Sequence, residues 1–404
     1  MKNLYSVIKI VLFGILIFTM YPGEVFAKET LTAHHHHKRA MKLKAIDHSQ
    51  QMKRFTYDSG LEFTYPDHVR GIYVTGPSAG GERFNELVDL VDRTKLNTMV
   101  IDVKEDYGKL TFKPKNNSKF KNASDDFIKD PKKVLKTLEE KEIYPIARVV
   151  VFKDSVLAKE HPEWSFKENG KVWKNGKGES FVNPFNKEVW EYNLEVAKMA
   201  AELGFKEIQF DYVRFPEGFE TKDEELEYSL GDYENSKQGN VKRRVEAVTD
   251  FVKYANKELS SYDVDVSVDI FGYAATIPET PGIGQNFSKI SENVDVISSM
   301  VYPSHWTSYF GIEKPDQEPY KIINEYAKLE NKLLDKLDNK PTSRPWIQDF
   351  EAPWLYPNGQ TKQYGKKEVE AQIRALHENG INEYLLWNAS NKYTENVDYT
   401  PLNK

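Results

Sequence analysis

Residues 206–215 read KEIQFDYVRF, and residues 264–274 read VDVSVDIFGYA. In both, apolar and polar residues alternate with the period of two that puts successive side chains on opposite faces of a strand. Ile208 and Phe210 share one face of the first run, Gln209 and Asp211 the other. In the second, Val264, Val266, Val268 and Ile270 stand opposite Asp265, Ser267 and Asp269. Packing asks for no carboxylate at Asp211 or Asp269, and burying one unpaired costs on the order of several kcal/mol. Each acid stands where its strand ends and a loop begins.

Outward from these two runs the pattern repeats eight times. VRGIYVTG (69–76), NTMVIDVK (97–104) and YPIARVVVF (144–152) precede them; VDVISSMVYP (294–303), RPWIQDF (344–350) and INEYLLWNAS (381–390) follow. Amphipathic segments lie between: Phe84–Lys95, Pro131–Lys141, Lys187–Leu203, Val241–Leu259, a short one near Asn286–Asn293, Pro319–Leu337 and Lys366–Asn379. Pro131 opens one at the first turn, where a missing N–H costs nothing. Gly204 and Gly380 follow two others, where glycine suits the left-handed cap. Alternating strands and helices with short connections imply parallel strands and crossover helices. Eight such units predict an α/β fold, a (β/α)8 TIM barrel over residues 67–400. An open doubly wound sheet is the alternative, but no glycine-rich phosphate turn follows the first strand.

A barrel of this kind places its site at the C-terminal ends of the strands. Asp211, Asp269 and Asp349 are therefore the candidate catalytic acids. Asp102 and Lys104 end the second strand, and Arg148 within the third is expected to tune the acids. Arg214 is placed to pair with Asp211 or to hold substrate. Tyr302, His305 and Trp306 follow strand six; Gln348 precedes Asp349; Trp387 and Asn388 end strand eight. All are candidate substrate contacts. Carboxylates gathered on one rim suit glycosidic cleavage: one acid protonates the leaving oxygen, and one carboxylate attacks the anomeric carbon or activates water. A third can brace the positive charge that develops on the ring. The stretch from Lys167 to Ser180 reads as a small hairpin over the site, and the acidic loop 217–238 as a lid or a solvated insertion.

Composition narrows the remaining classes. The net charge of −6 lacks the basic excess a nucleic-acid partner calls for. With no cysteine, disulfides, thiolate metal sites and a cysteine nucleophile are excluded. No HxH or HxxxH pair occurs in the predicted barrel, so no metal site is expected, and nothing calls for a cofactor. Lys2 and Lys9 flank an apolar run, Val11–Tyr21, followed by Val25 and Ala27 as small residues before a cleavage point. Residues 1–27 are read as a signal peptide, with an N-terminal membrane anchor as the alternative. The mature protein is then secreted, extracellular or wall-associated, without stable membrane insertion, and is expected to be a monomer. Residues 28–66, with His34–His37, read as a polar linker.

The motifs HVRGIYVTG, IDVKEDYG, ARVVVF, FDYVRFPEG, VDIFGYAA, MVYPSHW, WIQDF and LLWNAS together resemble the bacterial putative glycosyl hydrolase domain family, TIM barrels remotely related to the α-amylase superfamily. The resemblance covers about residues 67–395, and FDYVRFP is its most specific element. Carried over by position, it implies Asp211 as nucleophile, Asp269 as acid/base and Asp349 as transition-state stabiliser. Two departures stand out. Amylase-type enzymes place Glu on strand five, where this chain has Asp269, and Arg two residues before the nucleophile, where it has Gln209. The reading is thus an exported retaining glycoside hydrolase acting on a polysaccharide or oligosaccharide. The alternative is a non-catalytic carbohydrate-binding envelope protein on a degenerate barrel.

Overall fold

The computed structural model describes residues 57–114, 118–356 and 361–401. The segment read as a signal peptide and most of that read as a linker, histidine run included, fall outside the described residues. The barrel strands are β1 (Arg70–Val74), β2 (Thr98–Lys104), β3 (Tyr144–Val150), β4 (Glu207–Asp211), β5 (Asp265–Phe271), β6 (Val296–Met300), β7 (Trp346–Gln348) and β8 (Tyr384–Trp387). Neighbours pair in parallel from β1 through β6, β1 also pairs with β8, and β8 with β7. Trp346 against Met300 joins β7 to β6 and closes the ring. The expected (β/α)8 barrel is the fold.

The crossover helices are α1 (Arg83–Asp92), α2 (Pro131–Glu140), α3 (Lys187–Leu203), α4 (Asn240–Leu259), α5 (Phe287–Ser291), α6 (Pro319–Leu334) and α7 (Lys366–Glu378). Local chemistry sets their ends. Asp130 accepts from the Lys133 N–H ahead of Pro131, satisfying a donor the first turn leaves free. Asn186 does the same for α3, which stops at Gly204 with φ 119°, a conformation costly for any residue with a Cβ.

Strand alternation sorts the interior into two layers. Ile72, Met99, Ile101, Ala147, Ile208, Phe210, Val266, Val268 and Ile347 face the helices in the larger core. Their alternates Tyr73, Val100, Ile146, Tyr302, Trp346 and Leu385 fill the barrel lumen. The polar faces of β4 and β5 also turn inward: Gln209 Nε2 donates to Ser298 Oγ of β6.

The N-terminal face of the barrel is closed by residues read from sequence as the end of the linker. Arg344 donates through Nη1 to both Glu207 oxygens at 2.7 and 2.8 Å, through Nε to Glu383 and through Nη2 to the Tyr65 hydroxyl. Tyr65 also donates to Glu383 and lies 5.1 Å, edge-on, from Tyr144. Upstream, Tyr57 N–H donates to Ser261 O, and Leu61 packs on the outer core. Residues within 57–66 thus make contacts with the barrel.

Candidate active site

Arg148 organises the carboxylates at the C-terminal end of the barrel. On β3 it stands in register with Gln209 of β4 and with Asp102 of β2. Its Nε and Nη2 reach Asp211 Oδ2 at 2.9 and 2.7 Å, Nη1 reaches Asp102 Oδ1 at 2.7 Å, and Nη2 reaches Asp106 Oδ1 at 2.7 Å. The guanidinium also lies 5.5 Å from the Tyr73 ring and 5.4 Å from that of Trp387. Those two rings stack on each other at 4.0 Å. A planar cation with five fixed donors is suited to several carboxylates at once. The arginine missing two residues before Asp211 is thus supplied across the sheet, from the strand beside it.

Asp211 takes its third hydrogen bond from the Tyr212 N–H at 2.6 Å. Tyr212 holds φ 50°, the left-handed region that costs a bulky side chain about 1–2 kcal/mol. Its ring lies 4.6 Å from Lys153 Nζ and 4.7 Å from the Arg214 guanidinium. Lys153 is held in turn by Asp106 at 3.1 Å and Glu179 at 2.9 Å.

Asp269 is placed differently. Among the described residues no cation is bonded to it; the indole Nε1–H of Trp346 donates to its Oδ1 at 2.7 Å. Complete burial, followed by the negative charge of Asp211, pushes its carboxyl well above the ordinary range, and the Trp346 hydrogen bond and Arg148 only partly offset this. Burial raises Asp102 to about 6, against the pull of Arg148 and the 2.5 Å bond from Tyr73. For Asp106, burial is outweighed by Arg148 and Lys153, which hold it well below the carboxylate range. Acids of one cluster thus carry different protonation preferences, the usual basis for dividing acid and base roles.

The candidate residues distribute unevenly. Asp211, Asp269, Asp102 and Arg148 converge, with Tyr302 and Trp387 against them in the lumen: burial, then the charges of Asp269 and Asp211, raises the Tyr302 hydroxyl. Arg214 lies at the edge, between the rings of Tyr212 and Phe271 and bonded to Glu217. His305 is exposed, edge-on to Tyr302 and Phe350 at 5.2 and 6.2 Å, with Nδ1 on Ser304 Oγ. Desolvation lowers its imidazole below the ordinary value, and Glu217 counters in part.

Five candidates sit elsewhere. Lys104 shared a face with Asp102 by alternation, but the register shifts between them and turns it outward. There it is fully buried, 2.6 Å from Asp154 and bonded to Asn193. Asp349 is one residue out of phase with the lumen side chain Trp346; its oxygens accept from the N–H and hydroxyl of Thr394 at 2.9 and 2.5 Å. Gln348 accepts from the Ser304 N–H and donates to Phe350 O. Asn388 pins a turn by donating to Asp349 O and Lys392 O. Trp306 packs sideways on Tyr326 of α6 at 5.9 Å.

Sequence reasoning missed Tyr73, Lys153, Tyr212 and Trp346 as site residues. Only Tyr73 and Trp346 left a signal, as lumen-phase aromatics near strand ends. The hairpin over 167–180 forms at Lys167–Glu168 and Lys171–Val172, with Asn169 and Gly170 both at positive φ, the turn that fits strand twist. The acidic loop is anchored by buried Phe219, Leu226 and Tyr233, while nearly all of its acidic residues are exposed. Among the described residues, no cluster of three or more His, Asp or Glu is arranged to hold a metal ion. No helix of the described residues is long and apolar enough to cross a membrane.

A closed (β/α)8 barrel with acids of contrasting environment at its C-terminal end has the architecture of a glycoside hydrolase. Residues 71–393 match the family described as "Putative glycosyl hydrolase domain", and the chain belongs to that family. Among solved structures it is similar to a hypothetical protein from Ruminiclostridium thermocellum, with 34% identity over 49% of this chain and 96% of that one and a TM-score of 0.43. The glycoside hydrolase domain of PgaB (BpsB) from Bordetella bronchiseptica shares the fold at 15% identity, covering 80% of this chain and 94% of its own, with a TM-score of 0.54. A β-galactosidase from the psychrophilic Marinomonas ef1 does so at 13% identity, covering 79% and 54%, with a TM-score of 0.53. Among curated proteins none matches the chain.

Proposed function

We propose that the protein is an exported glycoside hydrolase that cleaves a polysaccharide by retaining double displacement, with Asp211 as nucleophile and Asp269 as acid/base. The observation that carries this reading is the unequal support of the two acids. Arg148 holds Asp211 through two bonds to one oxygen, a setting for a carboxylate anion. Asp269 has only an uncharged donor, Trp346, and the charge of Asp211 beside it, a setting for a neutral acid. Asp269 protonates the glycosidic oxygen as Asp211 forms a bond to the anomeric carbon and the aglycone leaves. Water then attacks that carbon, giving its proton to Asp269 and releasing Asp211. Asp102, rather than Asp349, is the third acid of this reading, placed on Arg148 to set the charge around Asp211. Proton NMR of the first-formed sugar tests the stereochemistry: the anomer of the substrate supports double displacement, and the opposite anomer excludes Asp211 as a nucleophile.

One observation favours the binding reading. Asp211, Asp269 and Asp102 are each less than 5% exposed, and Arg148 is already bonded to two of them. A binder on a degenerate barrel needs no access to these acids. The two readings part on whether any glycan is cleaved.

A further inference from the structure

Two lines of ring contacts lead outward, one from the buried acids and one from Arg214. One starts at Trp346 on Asp269 and passes to Trp387 at 5.4 Å and Tyr302 at a further 6.3 Å. From Tyr302 it reaches Phe350 at 5.8 Å, and Phe350 lies nearly parallel to Trp354 at 6.3 Å. The line runs from a fully buried Trp346 to a Trp354 that is 61% exposed. The second starts at Arg214, passes to Phe271 at 4.6 Å and ends on Tyr273, stacked at 5.5 Å and 40% exposed.

An exposed aromatic taken singly needs no explanation, but these are not scattered. Apart from Tyr57, every exposed large hydrophobic side chain among the described residues lies in a loop after the C-terminal end of a barrel strand, Tyr107, Tyr273, Tyr309 and Trp354 among them. The rings are separated by charged and polar groups, with Glu217 on Arg214 and His305 against Phe350. A stable protein partner would bury roughly 800 Å² of this face around a continuous apolar centre. A glycan matches the interruption: a pyranose offers an apolar C–H face to a ring and hydroxyls to the polar groups around it.

We infer that Trp354 with Phe350, and Tyr273 with Phe271, are stacking subsites for sugar residues remote from the scissile bond, so that the ligand is a glycan chain rather than a single glycoside. This rests on the glycosidase reading of the barrel and adds the requirement for length. Trp354 is two ring contacts beyond Tyr302, on the exposed side of the line from Asp269. Binding energy from these remote units would be used to place the chain over the acids.

The test is affinity electrophoresis of the full chain carrying Asp211→Asn, which keeps substrate intact, in gels containing hydroxyethylcellulose, glycol chitin, soluble starch or dextran. Cellobiose, chitobiose, maltose and isomaltose serve as competitors. Retardation by at least one polymer is expected, weakened roughly tenfold or more by Trp354→Ala or Tyr273→Ala. Tyr57→Ala, on the far face, should leave it unchanged, and the matching disaccharide should compete poorly. Retardation by none of the polymers, retardation indifferent to Trp354 and Tyr273, or a disaccharide that competes as well as its polymer overturns the inference. Ring-dependent retardation by a polymer, with no tested polymer cleaved by the parent, would instead sink the hydrolase reading and leave the rings as the glycan subsites of a binder.

Discussion

Arg148 gives two hydrogen bonds, from Nε and Nη2, to one oxygen of Asp211, at 2.9 and 2.7 Å. Three acids lean on this one side chain, itself 1% exposed. Truncating one member of a buried charge cluster leaves the others uncompensated, at a cost of about 3–5 kcal/mol. Arg148→Ala should lose stability on that scale in urea denaturation. Arg148→Lys should fold, since it keeps the charge, yet lose on the order of 10²-fold in kcat because the planar fork is gone. A lysine variant of undiminished kcat would show that the geometry of the cation does not matter.

The acid role of Asp269 sets one limb of the pH profile. A group that must donate a proton is active below its pKa, so kcat/KM should fall as pH rises through the raised value of Asp269. The Trp346 indole favours the ionised form. Trp346→Phe removes that bond and should move the falling limb to higher pH. A limb that stays put, or shifts downward, would detach Asp269 from it.

The same shift affects stability. Asp269 has a folded pKa above its unfolded value, so its contribution is fully present below about pH 4 and is lost as pH rises toward the folded pKa. Asp269→Asn should abolish turnover yet unfold at a higher temperature than the parent at pH 7. The gap should shrink as pH falls toward 4. Melting curves between pH 4 and 8 check this, and a gap that widens on acidification would contradict it.

Much of this site was legible in the sequence, for a physical reason. A strand with one face in the lumen shows its phase as a period of two, so Asp211 and Asp269 stood out against Phe210 and Ile270. Phase was also where the reading failed. The register shift after Asp102 turned Lys104 outward, and no residue type marks such a shift. Strand seven gave only three paired residues from which to count, and Asp349 fell on the wrong side of Trp346. Lys153 and Tyr212 come to the acids through loop geometry, which pattern does not encode. Trp306 and Asn388 stand at a strand end and in a turn, where sequence position alone does not separate a substrate contact from a packing one.

The closure of the barrel base gives a further outcome. Tyr65 covers Arg344 and Glu383. A chain beginning at residue 67 exposes that buried network, whereas one beginning at 57 keeps it. The shorter chain should be less stable by about 3 kcal/mol or more, the scale of losing one large buried side chain. Thermal melts of the two chains check this; equal melting temperatures would mean that residues 57–66 only rest on the barrel.

The most direct measurement is release of reducing ends by the purified protein and its Asp211→Asn variant on bacterial exopolysaccharides, wall glycans and α-glucans. The account predicts that the parent cleaves at least one of them and that the variant loses the activity while keeping its fold. If the parent releases nothing and both proteins bind one glycan equally, the acids are structural and the barrel is a binder.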